Sequence, residues 1–380
     1  MTPRQFRVHV PDEVLADLRE RLARTRWPDE VEGAGWDYGS DLAYMKELVE
    51  YWRTKFDWRA QEERINRFAH FQAEVDGQTI HFIHERGRGP NAVPLLVTHG
   101  WPGSFYEMHK IIPLLTDPAA HGGDPKDAFD VVVPSLPGYG FSARPKRRGI
   151  TKAFMADLWV KLMTGLGYQR FAAHGGDIGA GVTTRMGLSH GEHLLGIHVT
   201  AVARPYLGPD SAPLTDAERA YMELQEQWER DENGYGHQQG TRPQTLAFGL
   251  NDSPAGLAAW IVEKFRAWSD CGGDTERSFS KDELLTNITI YWVTQTIHSS
   301  MRLYFDHRRD PGLLGSRDRV NVPTGVCLTR EPVDLAPREW AERSYRIQSW
   351  TELPRGGHFA ALEEPEFLAN DIRQFFRFAR

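Results

Sequence analysis

A glycine-rich turn between an apolar segment and a helix-forming segment is the feature that most constrains the fold of this chain. The apolar residues 171–173 lead into Gly175-Gly176-Asp177-Ile178-Gly179, and the helix-forming residues 180–182 follow. A strand that enters a helix through such a turn holds the middle residue in a strained backbone conformation and lifts its side chain above the edge of the sheet. Position 177 is therefore the expected place of a nucleophile.

The residue at this position is an aspartate, not the more familiar serine. A carboxylate is ionised near neutral pH and can attack an electrophilic sp3 carbon, which gives an alkyl ester. Asp177 could instead cap the following helix, because aspartate accepts hydrogen bonds from the free N–H groups of a first helical turn. The turn by itself leaves both roles open.

The charge balance narrows the class of partner. The chain has 380 residues, 45 of them Lys or Arg and 52 Asp or Glu, with a formal net charge of −7 and no long run of either sign. We therefore expect neither a nucleic-acid partner nor binding to an anionic membrane. The oligomeric state stays open, with a homodimer as one option.

The cysteines and the N-terminal residues bear on cofactors and location. Cys271 and Cys327 are far apart and lack the spacing of a metal or redox motif, so we expect no metal and no cofactor. The N-terminal residues are polar and charged, without the apolar core of a signal peptide. A cytoplasmic protein is the expectation.

Hydrophobic periodicity divides the chain into three parts. Residues 12–24 and 41–56 place apolar side chains on one helical face, which predicts a helical N-terminal extension. Short apolar strands then alternate with helices, as is typical of a mostly parallel sheet flanked by helices in an α/β protein. The strand pattern stops at about residue 204, which predicts a helical lid inserted over the carboxyl ends of the strands. The predicted boundaries are 1–90 for the extension leading into the first strands, 91–203 with 307–380 for the α/β core, and 204–306 for the lid.

Two further turns at predicted strand ends supply candidate site residues. The motif His99-Gly100-Trp101-Pro102-Gly103 follows an apolar strand, so its backbone should lie at the same sheet edge as Asp177. The N–H groups of Trp101 and Ile178 are candidates for an oxyanion hole, with a structural Gly/Pro turn as the alternative. His358 follows the last predicted strand and comes after the nucleophile in chain order, as expected for a general base.

The remaining candidates are an acid and two phenols. A catalytic histidine needs an acid to fix its tautomer and to stabilise the imidazolium, and the candidates are Glu331 and Asp334 on the loop after residues 322–328. Tyr235 and Tyr304 in the predicted lid could donate a proton to a departing alkoxide. Each carboxylate could instead be a solvated loop charge, and each tyrosine a core residue.

These motifs, in this order, resemble the microsomal-type epoxide hydrolases of the α/β-hydrolase superfamily. The likeness covers almost the whole chain and includes Arg26-Trp27-Pro28-Asp29-Glu30, residues 250–260 and Val322-Pro323-Thr324-Gly325. The resemblance implies the α/β-hydrolase fold, a small-molecule epoxide as substrate and no cofactor. Since the chain has no N-terminal anchor like that of the membrane-bound members, we expect a soluble, bacterial-style enzyme.

The resemblance also implies a reaction sequence. Asp177 attacks an epoxide carbon while Tyr235 and Tyr304 hydrogen-bond to the ring oxygen and protonate it, which leaves a covalent ester. His358 then takes a proton from a water that attacks the ester carbonyl. The amides of Trp101 and Ile178 hold the oxyanion, and a vicinal diol is released. Family members also tend to have a cis peptide bond before the proline of the His99 motif, so we expect one between residues 101 and 102.

At two places the sequence departs from the family pattern. Without gaps, the family's acid position falls on Pro332, which makes the adjacent Glu331 the first candidate and Asp334 the second. Gln238 stands where relatives commonly carry an apolar residue, which favours a substrate with oxygen or nitrogen functions. Together with His99 and Pro102, Gln238 is a candidate substrate contact.

Other functions share these features. Haloalkane dehalogenases use an aspartate nucleophile on the same fold with N–H donors around the halide, and Trp101 could be such a donor. An epoxide could also be opened or cyclised by another nucleophile, such as an amine of a natural-product intermediate. A binding protein on a degraded hydrolase scaffold should have lost the nucleophile or the base, yet Asp177 and His358 are both present.

Overall fold

A nine-stranded sheet forms the centre of the computed structural model, which describes residues 1–379. The order across the sheet is β1-β2-β3-β5-β4-β6-β7-β8-β9. The strands are β1 (Arg4–Phe6), β2 (His70–Val75), β3 (Gln78–Glu85), β4 (Val93–Thr98), β5 (Phe129–Pro134), β6 (Phe171–Gly175), β7 (Leu194–Val199), β8 (Val320–Leu328) and β9 (Tyr345–Glu352).

The sheet is antiparallel at one side and parallel elsewhere. Strands β1, β2, β3 and β5 pair antiparallel, each with the next in that order. Strand β5 also pairs parallel with β4, and the neighbours that follow, β4-β6-β7-β8-β9, are all parallel. Strand β6 is buried along its whole length, as expected for a central strand covered by helices on both faces. Thr98 at the end of β4 lies opposite Gly175 at the end of β6. This register brings the loop that starts at His99 and the turn that carries Asp177 to the same sheet edge.

Helices cover the sheet and its carboxyl edge. They are α1 (Asp12–Ala23), α2 (Leu42–Thr54), α3 (Trp58–Ile65), α4 (Ile111–Thr116), α5 (Lys152–Gly165), α6 (Asp177–Ser189), α7 (Asp216–Asp231), α8 (Gly234–Thr241), α9 (Pro243–Leu250), α10 (Pro254–Trp268), α11 (Lys281–Thr294), α12 (Ile297–Arg309), α13 (Arg338–Glu342), α14 (Ala360–Glu363) and α15 (Pro365–Phe375). Helices α7 to α12 come between β7 and β8, where the strand pattern of the sequence stops. The exact domain boundaries stay a prediction.

The N-terminal extension contacts the lid helices as well as the sheet. The Trp52 indole N–H donates to Thr289 Oγ1 on α11 at 3.1 Å, and the Tyr51 hydroxyl donates to Asp282 on the same helix at 3.0 Å. The Ser40 hydroxyl donates to the carbonyl of Ala259 on α10 at 2.8 Å. The extension is therefore hydrogen-bonded to both α10 and α11.

Candidate active site

The turn after β6 holds Asp177 in a left-handed backbone conformation. Its φ angle is +49°, and it is the first residue of α6. Positive φ is uncommon for a residue with a side chain and clusters at functional sites. The neighbouring glycines allow the close packing: a Cβ on Gly175 would lie 2.3 Å from the backbone of Gly179, and a Cβ on Gly179 would lie 2.0 Å from the carbonyl oxygen of Thr98. Glycine at both positions therefore permits this turn, because the Cβ of any other residue would collide with the neighbouring backbone.

The loop after β4 lies directly against the Asp177 carboxylate. The Trp101 backbone N–H donates to Asp177 Oδ1 at 2.8 Å, and a Cβ on Gly100 would lie 2.1 Å from the same oxygen. Ile178 is the second residue of α6, so its N–H is one of the four that an α-helix leaves without an intrahelical partner. The peptide bond between Trp101 and Pro102 is cis, as expected from the sequence.

Helix α11 and the His99 ring hold this loop in place. The Asn287 side-chain amide donates to the Pro102 carbonyl at 2.8 Å, and the Tyr291 hydroxyl donates to the Gly103 carbonyl at 2.7 Å. His99 Nδ1 pairs with the Gly100 carbonyl, and the backbone N–H of Leu136 donates to His99 Nε2. Burial lowers the pKa of His99 to about 4, so the ring is neutral. Both ring nitrogens of His99 have partners within the protein, and its contact with substrate stays a prediction.

His358 lies between the Asp177 carboxylate and an acid. Its Nε2 is 3.8 Å from Asp177 Oδ2, and its Nδ1 is 2.5 Å from Glu331 Oε2. Asp334 Oδ2 is 3.8 Å from the same Nδ1, beyond hydrogen-bond distance. Of the two predicted acids, Glu331 is thus the one that hydrogen-bonds the ring.

Burial and neighbouring charges shift the pKa of His358 in opposite directions. Burial opposes a charged imidazole, but the charge and hydrogen bond of Glu331 together with the nearby carboxylates, Asp177 among them, outweigh it and raise the pKa of His358 well above its usual range. Burial, with the adjacent Glu331 charge, raises the pKa of Asp334 well above its usual range. The neutral form of Asp334 is therefore favoured beside the hydrogen-bonded His358–Glu331 pair.

The two lid tyrosines meet above Trp101. The Tyr235 ring stacks on the Trp101 indole with centroids 5.0 Å apart and an interplanar angle of 7°, and the Tyr304 ring lies 5.9 Å from that of Tyr235. Burial, followed by the charge of Asp177, raises the pKa of Tyr235 well above its usual value. Burial, followed by the charge of Tyr235, does the same for Tyr304. Both phenols are protonated at neutral pH.

Two predicted substrate contacts have other neighbours. The Gln238 side-chain amide donates to the Arg242 carbonyl at the end of α8 at 3.2 Å. Pro102 is buried, and its carbonyl is taken by α11. Neither prediction is tested by these contacts, which show only that Gln238 has a partner on its own helix.

Sequence reasoning missed two residues beside the histidine. Glu107 lies in the 3₁₀ turn Phe105–His109; burial raises its pKa to about 8, and the charges of His358 and Asp177 act on it. Trp268 at the end of α10 has its ring centroid 5.1 Å from that of His358. Glu107 follows Ser104 by three residues, a spacing that predicts only a helix cap, and Trp268 belongs to no motif.

Two groups of metal-ligand side chains occur among residues 1–379. One is His198, Cys327 and Asp371, and the other is Glu331, Asp334 and His358; within each group the ligand atoms lie within 4.8 Å of one another. Hydrogen bonds account for the closeness in both, since His198 Nε2 lies 2.8 Å from Asp371 Oδ2 and His358 is bonded to Glu331. The second group consists of the acid and base described above.

Comparison with known proteins places this geometry in a family. The family profile described as "Epoxide hydrolase N terminus" matches residues 3–108, and the profile described as "alpha/beta hydrolase fold" matches residues 93–256. A protein from Stigmatella aurantiaca, provisionally named an epoxide hydrolase, is 45% identical over 377 residues, which cover 98% of this chain and 84% of the relative. The chain belongs to the epoxide hydrolase family.

Other epoxide hydrolases support the same assignment. Epoxide hydrolase 1 of Sus scrofa is 40% identical over 98% of this chain and 88% of its own length. The crystal structure of juvenile hormone epoxide hydrolase from the silkworm Bombyx mori has a TM-score of 0.88 at 29% identity and covers 100% of this chain and 96% of that one. The Aspergillus niger epoxide hydrolase has a TM-score of 0.86 at 30% identity, with 100% and 97% covered.

These comparisons confirm the predicted fold and family. The α/β-hydrolase fold, the assignment as an enzyme and the epoxide hydrolase family agree with what the motifs implied. In the part of the chain that the structure describes, no helix combines the length and the apolar character that a bilayer span requires.

Proposed function

We propose that this epoxide hydrolase converts a small-molecule epoxide to a vicinal diol through a covalent ester on Asp177. One observation carries the proposal: the two oxygens of this carboxylate have different surroundings. Oδ1 accepts a hydrogen bond from the Trp101 backbone, whereas Oδ2 faces His358 Nε2 at 3.8 Å. One oxygen is thus held by an amide and the other is free to form a bond to carbon.

In the first half-reaction, Oδ2 of Asp177 attacks an epoxide carbon and the bond from that carbon to the ring oxygen breaks. The electron pair goes to the oxygen, which takes a proton from Tyr235 or Tyr304. Both phenols are protonated because burial keeps their pKa values high, so they can bind the ring oxygen as donors before the bond breaks. The product is an alkyl ester with its carbonyl oxygen at the Trp101 amide.

Ester formation removes the negative charge of Asp177, which is one of the charges that raise the pKa of His358, and so favours the neutral imidazole. In the second half-reaction, Nε2 of this neutral His358 takes a proton from a water that attacks the ester carbonyl carbon. Charge develops on Oδ1 of Asp177, next to the amides of Trp101 and Ile178, and this stabilises the tetrahedral intermediate. Collapse of the intermediate breaks the bond from the carbonyl carbon to the ester oxygen, and the departing alkoxide takes the proton that His358 holds, which gives the diol. The second proton of the attacking water returns to the tyrosine phenolate, so the carboxylate, the phenol and the neutral imidazole are all restored. Glu331 accepts the hydrogen bond from Nδ1 and so keeps Nε2 directed at the water.

The two tyrosines favour an epoxide over a haloalkane as substrate. An epoxide oxygen leaves as an alkoxide and needs a proton, which a phenol supplies, whereas a halide leaves as a stable anion. The proposal of a non-water nucleophile has no observation that favours it. The cytoplasmic location, the lack of a nucleic-acid partner and the homodimer stay predictions from the sequence; light scattering tests the last.

Intact-protein mass spectrometry of a His358→Gln variant tests the ester. After exposure to aryl and functionalised epoxides, we expect a mass gain equal to one epoxide, because the ester forms but is not hydrolysed. A His358→Gln variant that also carries Asp177→Ala is the control and should show no gain.

A single turnover of the wild-type protein in ¹⁸O-water separates the ester route from direct attack by water. The ester route predicts an unlabelled diol in the first turnover, because the added oxygen comes from Asp177. Labelled diol in that turnover, with no adduct in the variant, would refute the ester.

A further inference from the structure

Three basic side chains, Lys152, Arg185 and His307, lie together next to the catalytic residues; we call them the basic cluster. They come from α5, α6 and α12 respectively. The charges of Lys152 and Arg185 both act on His307, and that of Arg185 acts on Lys152. The cluster therefore joins the core helices to the last helix of the lid.

The buried nitrogens of the basic cluster are unsatisfied. Nη2 of Arg185 and Nδ1 of His307 are buried and have no hydrogen-bond partner. No carboxylate is among the groups that act on His307, and the carboxylate that acts on Lys152 is Asp177, which already accepts a bond from Trp101. Buried polar groups are nearly always paired, so unpaired ones call for an explanation.

Helix geometry places the basic cluster about one to two helical turns from the reacting groups. On α6, Gly181 and Arg185 follow Asp177 by four and eight residues, or about 6 and 12 Å along the helix axis. On α12, His307 follows Tyr304 by three residues, so the two side chains share a helix face. Both helices therefore lead from a catalytic group to the cluster.

Two glycines make room for the cationic side chains. A Cβ on Gly181 would lie 2.6 Å from Cδ and 2.9 Å from Nζ of Lys152. A Cβ on Gly312 would lie 2.4 Å from Nη2 of Arg185. A residue larger than glycine at either position would collide with the cationic side chain. The two glycines therefore leave space for Lys152 and Arg185.

The cations are in unfavourable surroundings as they stand. Burial, together with the charge of Arg185, lowers the pKa of Lys152. Burial, with the charges of Lys152 and Arg185, lowers the pKa of His307 to about 4, which makes its ring a neutral hydrogen-bond donor. Since acidic residues outnumber basic ones by 52 to 45, composition alone does not explain the missing carboxylate. A bound anion would supply the compensating charge.

We propose that Lys152, Arg185 and His307 form a binding site for an anionic group, a carboxylate, phosphate or sulfate, beside the catalytic residues. The anion has two sources with the same chemistry. It is either an acidic group on the epoxide substrate, which rests on the proposed function, or a free inorganic anion, which does not.

The first test measures the melting temperature with sulfate and with inorganic phosphate at constant ionic strength. Because an anion that binds only the folded state stabilises it, we expect Tm to rise by about 2–5 °C at saturating anion. The rise should be lost in Arg185→Gln. Arg302→Gln is the matched control: Arg302 on α12 is half-buried, as Arg185 on α6 is, but lies outside the basic cluster. If Arg185→Gln does not fold, Lys152→Met replaces it.

The second test compares two epoxides that differ only in charge, para-oxiranylbenzoate and its neutral carboxamide. If the substrate supplies the anion, Arg185→Gln should lower kcat/KM for the benzoate by roughly tenfold or more, the effect of losing one charge-assisted hydrogen bond. The carboxamide should change by less than about twofold, and Arg302→Gln should leave the ratio of the two unchanged.

The two tests together separate the outcomes. If Arg185→Gln loses the preference for the benzoate over the carboxamide, the anion that the site binds is the acidic group of the substrate. A Tm rise that depends on Arg185, with equal rates for the two epoxides, assigns it to a free anion. A Tm rise without turnover of any epoxide would leave the site standing and refute the proposed function. No Tm rise and no charge preference would overturn the proposed site.

Discussion

Replacing the two acids beside His358 separately should have very different effects, although they are three residues apart. Glu331 hydrogen-bonds Nδ1 at 2.5 Å, whereas Asp334 lies 3.8 Å away and is held neutral by burial next to the Glu331 charge. We therefore expect Glu331→Gln to slow hydrolysis of the ester and Asp334→Asn, which mimics the protonated acid, to leave it nearly unchanged.

Distance alone would not give this contrast. With an effective dielectric constant of about 20, Coulomb's law gives about 7 kcal/mol for unit charges at the Glu331 distance and about 4 kcal/mol at the Asp334 distance. The decisive term is protonation, since a neutral Asp334 contributes no charge. Removal of the acid from a histidine base costs roughly 10²–10⁴-fold in rate, so we expect a loss in this range for Glu331→Gln and less than about threefold for Asp334→Asn.

The two changes should not be additive. Without the Glu331 charge, Asp334 loses a main reason for its raised pKa and can ionise 3.8 Å from the ring. Asp334→Asn should therefore reduce the rate of ester hydrolysis more in the Glu331→Gln background than in the wild-type protein. Such non-additivity is expected because the two acids and His358 belong to one network.

Rapid mixing under single-turnover conditions, with quenched samples analysed by mass, measures the two half-reactions separately. Glu331→Gln should accumulate the ester on Asp177, whereas Asp334→Asn should not. A larger loss in ester hydrolysis for Asp334→Asn than for Glu331→Gln would refute the reasoning.

Three further changes test other parts of the site. Gly100→Ala should reduce diol formation by more than about 100-fold with the circular dichroism spectrum retained, because its Cβ would lie 2.1 Å from Asp177 Oδ1; near-normal turnover would contradict the close contact. Tyr235→Phe and Tyr304→Phe should each slow ester formation by roughly tenfold or more, and the double variant should form no ester; stopped-flow tryptophan fluorescence measures this step, and a double variant that still forms ester would exclude the phenols as proton donors. Glu107→Gln should make stability less dependent on pH: the folded pKa of about 8 exceeds the ordinary 4.5, so the wild-type protein loses stability as pH rises across this interval. Thermal melts of both proteins from pH 5 to pH 9 measure it, and parallel curves would contradict the raised pKa.

Local sequence signals were enough to predict the nucleophile turn, and a signal of the same kind accounts for the hairpin between β2 and β3. Asp76-Gly77 joins these two strands with both residues at positive φ, as an Asp-Gly pair between alternating strands predicts. The turn at Asp177 could be predicted for the same reason, since glycines at fixed positions report backbone conformation directly. The α/β alternation and the lid insertion followed from long segments with clear periodicity.

Features that depend on distant parts of the chain could not be predicted. Only the family resemblance ranked Glu331 before Asp334, because the choice between them depends on how a short loop turns toward a histidine on another loop. Strand β1 has three residues, too few for an alternating pattern, and exists because β2 offers it a free edge. Glu107 looks like a helix cap in the sequence, and only the fold brings it near His358.

The bonds from α11 to the loop after β4 have a consequence for engineering this enzyme. Asn287 and Tyr291 donate hydrogen bonds to the carbonyls of the consecutive residues Pro102 and Gly103, next to the Trp101 amide that contacts Asp177. A helix between β7 and β8 therefore sets the position of a group at the nucleophile. Grafting a lid from a relative to change selectivity would exchange this helix as well, so a chimera that keeps its own α11 has the better chance of remaining active.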